Sequence, residues 1–189
     1  MSVAELRQPE RLTSRDALTT ARRLVVKIGS SSLTDERGRL DEERIRQIAD
    51  TAATLAGRGT ELVIVSSGAI AAALGPLGLP ERPAAVELQQ AAASVGQALL
   101  ATAWQGAFAR HGLITGQVLL AESDVIRRAT YRNVRTALEA LLDLGSVPVV
   151  NGHCNNGAIR MKPYDKDKNK RTPYLQLIDS FFLFHFCSR

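Results

Sequence analysis

Short apolar runs alternate with amphipathic segments along most of this chain. Four of the runs are apolar along almost their whole length and rich in β-branched residues, which is typical of buried strands. Between them, apolar residues recur at the spacing of a helix that buries one face. The pattern predicts an α/β fold with an open, mainly parallel sheet between helical layers. The predicted strands are residues 23–29, 61–67, 113–120 and 146–151.

Capping residues and glycines mark the predicted helices. Asp41 is placed to cap the first helix, and Gly57 and Gly59 mark its end. Gly96 lies inside a long helical stretch, where we interpret it as a point of close packing. The further helices are predicted over residues 67–75, 84–110 and 131–144.

The bulk composition is that of a soluble globular protein. The chain has 189 residues, of which 45% are hydrophobic and 23% are charged, enough for one domain with a core. No apolar run reaches the roughly 18 residues of a membrane span, and no secretory signal is recognisable. We therefore expect a cytoplasmic protein that does not contact a membrane.

The composition changes abruptly after Asn151. Residues 1–151 hold 17 Lys and Arg against 16 Asp and Glu, whereas residues 152–189 hold 7 against 3. Because the basic charge belongs to this tail, nucleic acid is not an expected partner of the body. We predict a loosely ordered extension over residues 1–20, a folded domain over 21–151, and a divergent tail over 152–189. The tail is either an appended partner-binding segment or a disordered, non-native sequence, and the sharp change favours the second.

Lys27 stands at the end of the first predicted strand and is the one lysine among residues 1–151. Gly29, Ser30 and Ser31 follow it, and their backbone N–H and hydroxyl groups suit an anion. A lysine charge inside an apolar run is costly without a partner, and phosphate is a suitable one. The bland alternative is a strand-end lysine that reaches solvent. The sequence lacks a G-x-x-x-x-G-K-[ST] loop.

A second candidate anion site follows the second predicted strand, at Ser67 and Gly68. A serine hydroxyl and free N–H groups at the start of a helix suit a phosphate or a carboxylate. The bland alternative is an ordinary capping serine. Together with the loop after Lys27, the pair suits an enzyme that needs one site for a nucleotide phosphate and one for an acidic substrate.

Several segments, in this order and spacing, resemble the amino acid kinase family, and within it the glutamate 5-kinases. The resemblance covers residues 21–151 and implies a three-layer sandwich. It also implies ATP-dependent phosphorylation of the side-chain carboxylate of L-glutamate, with Mg²⁺, as the first step of proline biosynthesis. Relatives of this kind are expected to be homo-oligomers. The matching segments are residues 24–34, 61–78, 89–100, 116–124, 131–142 and 147–151.

The resemblance implies a role for each matching site residue. Lys27 falls on the family's catalytic lysine at the ATP phosphates, and the family's phosphate loop falls on Gly29, Ser30 and Ser31. Its substrate-binding residues fall on Ser67, Gly68 and Asn151. No metal ligand is assigned among these residues.

The chain departs from the family pattern in two ways. Ala73 and Gln89 stand where the family usually has glycine and often lysine. More seriously, the family's acidic segments do not follow Asn151, so we expect a partial kinase domain with little or no activity.

Three other functions are alternatives to this one. The first is that of another member of the same superfamily, acting on carbamate, acetylglutamate, aspartate or a nucleoside monophosphate, against which residues 66–78 and 91–97 favour the glutamate 5-kinases. A non-catalytic binding protein with a basic, aromatic tail is the alternative from another class. Half of a nicotinamide-dependent dehydrogenase is disfavoured because G-x-G-x-x-G is absent.

Overall fold

The computed structural model describes residues 21–121, 128–153 and 182–185. The strands within these ranges are β1 (Arg23–Ile28), β2 (Glu61–Ser66), β3 (Thr115–Ala121), β4 (Val147–His153) and β5 (Phe182–His185). The helices are α1 (Glu42–Ala56), α2 (Ala69–Leu74), α3 (Val86–Ala109) and α4 (Arg128–Asp143). One 3-10 turn, Ser30–Ser32, follows β1.

The strands form one sheet in the order β3-β4-β2-β1-β5, and every pairing between them is parallel. Ile28 of β1 lies opposite Ser66 of β2, and Val65 lies opposite Val150 of β4. The carboxyl ends of β1, β2 and β4 therefore lie side by side at one edge of the sheet. The predicted α/β fold with a parallel sheet between helices is confirmed.

The tail contributes to this sheet. β4 continues through His153, two residues beyond Asn151. β5 comes from the apolar end of the tail and pairs with β1, from Leu24 opposite Phe182 to Lys27 opposite His185. No strand was predicted at these positions. Residues 1–20 and most of the tail lie outside the described residues, so their assignment as extension and non-native tail stays a prediction.

One face of the sheet packs against α1 and α3. Their apolar side chains meet Leu24, Ile64 and Val149 in the larger of two core clusters. Trp104 and Phe108 of α3 are fully buried there, with ring centroids 5.9 Å apart. Aromatic rings bury large apolar areas, so this pair contributes strongly to the stability of the layer.

The opposite face packs against α4. Leu138 and Leu142 of α4 are buried on Val25, Val63 and Val150, which belong to the second cluster. The helix buries this one side because its apolar residues recur three or four positions apart. The sheet is thus covered on both faces, which explains why its strands are apolar along their length.

Local signals in the sequence set several of these elements. Asp41 Oδ1 accepts a hydrogen bond from the backbone N–H of Arg44 at 3.1 Å, so the predicted cap of α1 is confirmed. Gly59 has φ 86°, which glycine adopts at little cost after a helix. Gly96 is a close-packing point as predicted, because a Cβ there would lie 1.6 Å from the carbonyl oxygen of Ala69 at the start of α2.

Long α3 is uncharged except at Glu87. Even so, no helix within the described residues is long and apolar enough to cross a membrane.

Candidate active site

Lys27 is the fifth residue of the six-residue strand β1, and it is partly buried. Its partner in the register is Val65 of β2, and side chains at paired positions of a parallel sheet share a face. Lys27 therefore lies on the α4 face, in line with Val25. A cation at this position can reach the carboxyl edge of the sheet, because strand β1 ends one residue later.

The segment after β1 turns tightly. The Ser32 N–H donates to the Gly29 carbonyl at 3.0 Å, and the Leu33 N–H donates to the Ser30 carbonyl at 3.0 Å. Gly29, Ser30 and Ser31 are all exposed. The turn thus presents three small residues to solvent directly beyond Lys27.

Gly29 is not required by its own backbone. It has φ −74°, which any residue adopts, and an added Cβ would meet only Ser31 Oγ at 3.9 Å. Gly68 is different, because its φ of 140° is strained for any residue with a side chain. If a side chain at position 29 impairs function, the cause would therefore be a ligand that approaches the backbone there.

Ser67 joins the ends of β1 and β2. Its backbone N–H and its hydroxyl both donate to the Ile28 carbonyl oxygen, at 3.2 and 3.3 Å. These bonds hold the turn at Ser67 and Gly68 directly beside the turn that begins at Gly29. The structure therefore brings together the two loops that the sequence predicts as anion sites.

Asn151 lies farther across the sheet. It follows Val149 and Val150 on β4, and its alternation with Val149 places it on the α3 face. It is 5% exposed, and its side-chain nitrogen Nδ2 donates to Oε1 of Gln97 on α3. Lys27 and Asn151 thus lie on opposite faces and can meet a common ligand only beyond the carboxyl edge.

Three further residues at this edge were not selected from the sequence. Ser66 is 2% exposed and its Oγ accepts from Trp104 Nε1 at 3.1 Å. Gln97, on the same helix as Trp104, instead accepts a hydrogen bond from Asn151. The signal available for Ser66 was strand alternation, which places neighbouring residues 66 and 67 on different sides; no local pattern indicated Gln97 or Trp104.

Groups that would hold a metal ion are sparse here. Within the described ranges, no cluster of three or more His, Cys, Asp or Glu side chains is placed to ligate a metal. Lysine, hydroxyl and backbone N–H groups do suit phosphate oxygens. The groups at this edge therefore fit a polyphosphate.

The shifted pKa values lie away from this edge. The hydrogen bond from His111 holds the pKa of Asp50 below its ordinary value, and Arg110 adds to the effect. Burial raises the pKa of Tyr131, and the hydrogen bond to Glu139 raises that of Arg135.

Comparison with known proteins places this geometry in a family. Residues 22–168 match the model of the amino acid kinase family. The chain belongs to the amino acid kinase family. The resemblance to this family and, within it, to the glutamate 5-kinases is confirmed.

Three curated relatives that the chain matches are glutamate 5-kinases. The chain is 58% identical over 137 residues to glutamate 5-kinase of Salinispora arenicola, covering 72% of this chain and 37% of the relative. It is 53% identical over 138 residues to that of Thermobifida fusca, covering 73% and 36%. It is 47% identical over 154 residues to that of Corynebacterium jeikeium, covering 82% and 41%. The chain thus spans about two fifths of the length of these relatives.

Among solved structures, the product complex of T. acidophilum isopentenyl phosphate kinase matches 67% of this chain and 53% of that one. The identity is 19% and the TM-score is 0.45, a likeness too weak to support a functional comparison.

Proposed function

We propose that this chain carries the phosphate-binding and substrate-binding edge of an ATP-dependent glutamate 5-kinase. The reaction is transfer of the γ-phosphoryl group of ATP to the side-chain carboxylate of L-glutamate, giving glutamyl 5-phosphate for proline biosynthesis. A carboxylate oxygen attacks the γ-phosphorus, the bond to the bridging oxygen breaks, and ADP leaves. Carbamate, acetylglutamate, aspartate and a nucleoside monophosphate, the substrates of other members of the superfamily, are the alternative acceptors against which glutamate is tested.

The observation that carries this proposal is the junction at Ile28. Two bonds from Ser67 to the Ile28 carbonyl bring the loop after Lys27 beside the loop at Gly68. Phosphoryl transfer needs its donor and acceptor groups positioned and the phosphate charge neutralised, more than it needs covalent chemistry from the protein. Two adjacent small-residue loops with one partly buried lysine supply that positioning.

Each predicted residue has a role in this proposal. Lys27 neutralises charge on the transferring phosphoryl group, and Gly29, Ser30 and Ser31 bind phosphate oxygens through backbone N–H and hydroxyl groups. Ser67, Gly68 and Asn151 bind glutamate. Mg²⁺ is expected to arrive on the ATP phosphates and to neutralise their charge, since the described residues include no cluster of three or more side chains that could ligate it.

The test measures binding and turnover separately in the 189-residue chain. Calorimetry gives the affinity for ATP and for L-glutamate, and release of ADP with glutamate as acceptor gives turnover. We expect Lys27→Ala to weaken ATP binding about tenfold or more, because a charge-assisted contact to phosphate is removed. Arg37→Ala, which removes an exposed arginine elsewhere, is the control.

Gly29→Ala gives a second test. The variant should fold as stably as the original chain, because the added Cβ meets only an ordinary contact. It should still weaken ATP binding, since the methyl group occupies the space of the phosphate. Gly106→Ala, whose Cβ would also enter open space, is the matched control. Unchanged ATP affinity in both Lys27→Ala and Gly29→Ala would refute the proposal, as would preference for one of the alternative acceptors.

Two accompanying expectations remain predictions. The chain is expected in the cytoplasm and as a homo-oligomer, like the family as a whole. Light scattering of the purified chain measures the second.

A further inference from the structure

Side chains of helix α3 form hydrogen bonds with residues near the carboxyl ends of two neighbouring strands. Trp104 donates to Ser66 Oγ at the end of β2, and Gln97 accepts from Asn151 on β4. Gln97 and Trp104 are seven residues apart, close to two helical turns, so they share one side of the helix. Ser66 and Asn151 are neighbours on the sheet because the preceding residues, Val65 and Val150, are paired.

The bond from Asn151 to Gln97 fixes the orientation of a buried amide. Asn151 is 5% exposed, so an amide group there must be paired with defined partners. Because Nδ2 is engaged as a donor to Gln97, the amide can meet a ligand with its carbonyl oxygen Oδ1, which accepts hydrogen bonds. Both residues line one small pocket with Leu100, Trp104, Thr115 and Gln117.

We propose that Gln97 is a positioning residue that selects an amino-acid substrate by holding the Asn151 oxygen toward its α-ammonium group. The inference rests on the proposed function, because it requires glutamate to bind at this edge. Glutamate carries two carboxylates, which only accept hydrogen bonds, and one ammonium group, which only donates. A fixed acceptor at Asn151 therefore recognises the ammonium end, whereas a reversed amide would present donors suited to a carboxylate.

The experiment compares L-glutamate with glutarate, which lacks the α-ammonium group. Affinities are measured by calorimetry on the full chain. We expect the original chain to prefer L-glutamate by about tenfold or more, the usual effect of one hydrogen bond to a charged group. Gln97→Ala should reduce that preference to about twofold or less, because the Asn151 amide is then free to turn.

Two variants make the test specific. Gln97→Glu retains an acceptor for Asn151 Nδ2 and should keep the preference. Gln105→Ala removes another glutamine of α3, whose Oε1 accepts from the N–H and hydroxyl of Thr115 on β3. That variant should leave the preference unchanged, although it removes two hydrogen bonds where Gln97→Ala removes one.

A spectroscopic measurement checks the bond itself. The side-chain amide resonances of Asn151, assigned by their loss in Asn151→Asp, should shift in Gln97→Ala and remain in place in Gln105→Ala. Unmoved Asn151 resonances in a folded Gln97→Ala chain would overturn the inference.

The outcomes separate the inference from the proposed function. If Gln97→Ala binds L-glutamate with the original preference over glutarate, the positioning role is wrong while the kinase function stands. If the original chain does not bind glutamate, the inference fails; if it also fails to bind ATP, the proposed function fails with it. An equal loss of preference in Gln105→Ala and Gln97→Ala would indicate a merely structural effect of α3 and would also refute the inference.

Discussion

The face of the sheet that packs against α3 differs from the face that packs against α4. Toward α3, Trp104 and Phe108 are fully buried, and polar bonds from the helix hold Ser66 and Asn151. Toward α4, the core is a smaller set of aliphatic side chains, and Lys27 lies on this side of β1. The comparison shows that α3 holds the sheet by aromatic packing and hydrogen bonds on one face. The candidate phosphate-binding residue Lys27 lies on the other face.

Removal of the largest anchored side chain should show the strongest effect. Trp104→Ala is expected to lower the free energy of unfolding by about 3–5 kcal/mol, because it leaves a cavity and deprives buried Ser66 of its donor. Urea unfolding at pH 7 measures the change. A loss below about 1 kcal/mol would contradict the view that the α3 face anchors the sheet.

Gly96→Ala tests the same face through its backbone. A Cβ at this position would lie 1.6 Å from the Ala69 carbonyl oxygen, so α3 and α2 must move apart. We expect a loss of about 3 kcal/mol, toward the upper end of overpacking costs. Gly106→Ala on the same helix meets nothing and should instead raise stability by about 0.5–1 kcal/mol. Equal effects at the two glycines would contradict the close packing.

Leu138→Ala is the matching test on the α4 face. Leu138 is 2% exposed and packs against an aliphatic cluster. Its removal therefore leaves no buried polar group without a hydrogen-bond partner, unlike the removal of Trp104. We expect a loss of about 2 kcal/mol, at the low end for a buried leucine, since neighbouring aliphatic side chains can relax into the cavity. The same urea titration measures it. A loss as large as that of Trp104→Ala would remove the distinction between the faces.

The smallest effect is expected at the exposed side of the α1–α3 layer. His111 Nε2 lies 2.6 Å from Asp50 Oδ1, and this bond lowers the pKa of Asp50. A lowered folded-state pKa contributes stability above the unfolded pKa of about 4, and that contribution is lost as the pH falls through the folded value. Asp50→Asn should therefore flatten the decline in the urea midpoint below about pH 4.

His111→Ala provides the control for this effect. It removes the hydrogen-bond partner and should reproduce the larger part of the flattening by Asp50→Asn, since Arg110 still lowers the pKa of Asp50. If neither variant alters the acid dependence, the ion pair does not contribute to stability.

Much of the fold could be predicted because its signals are local. The apolar runs at residues 23–29 and 61–67 identified β1 and β2 within a residue, and the long helix predicted over 84–110 begins at Val86. Strand order and β5 could not be predicted in this way. The strand at residues 182–185 forms by pairing with the edge of β1, which is distant in the sequence. The composition of the tail had instead indicated a disordered or non-native segment.

The residues of the candidate site likewise divide into those with a local signal in the sequence and those defined by contacts between distant residues. Lys27, Gly29 and Ser67 stood out because small residues and a cation follow apolar strands. Gln97 and Trp104 did not, because their partners lie 54 and 38 residues away along the chain. Such contacts exist only after helices and strands have packed. The roles of the predicted site residues themselves remain predictions until binding is measured.

The junction at Ile28 also restricts motion. Because two bonds from Ser67 converge on one carbonyl oxygen, the two loops beyond β1 and β2 can separate only by breaking both. We expect the two loops to move together as one rigid unit, with any hinge located outside these loops. In hydrogen exchange, the Ser67 amide should then be slow like those of the strands, although its side chain faces solvent.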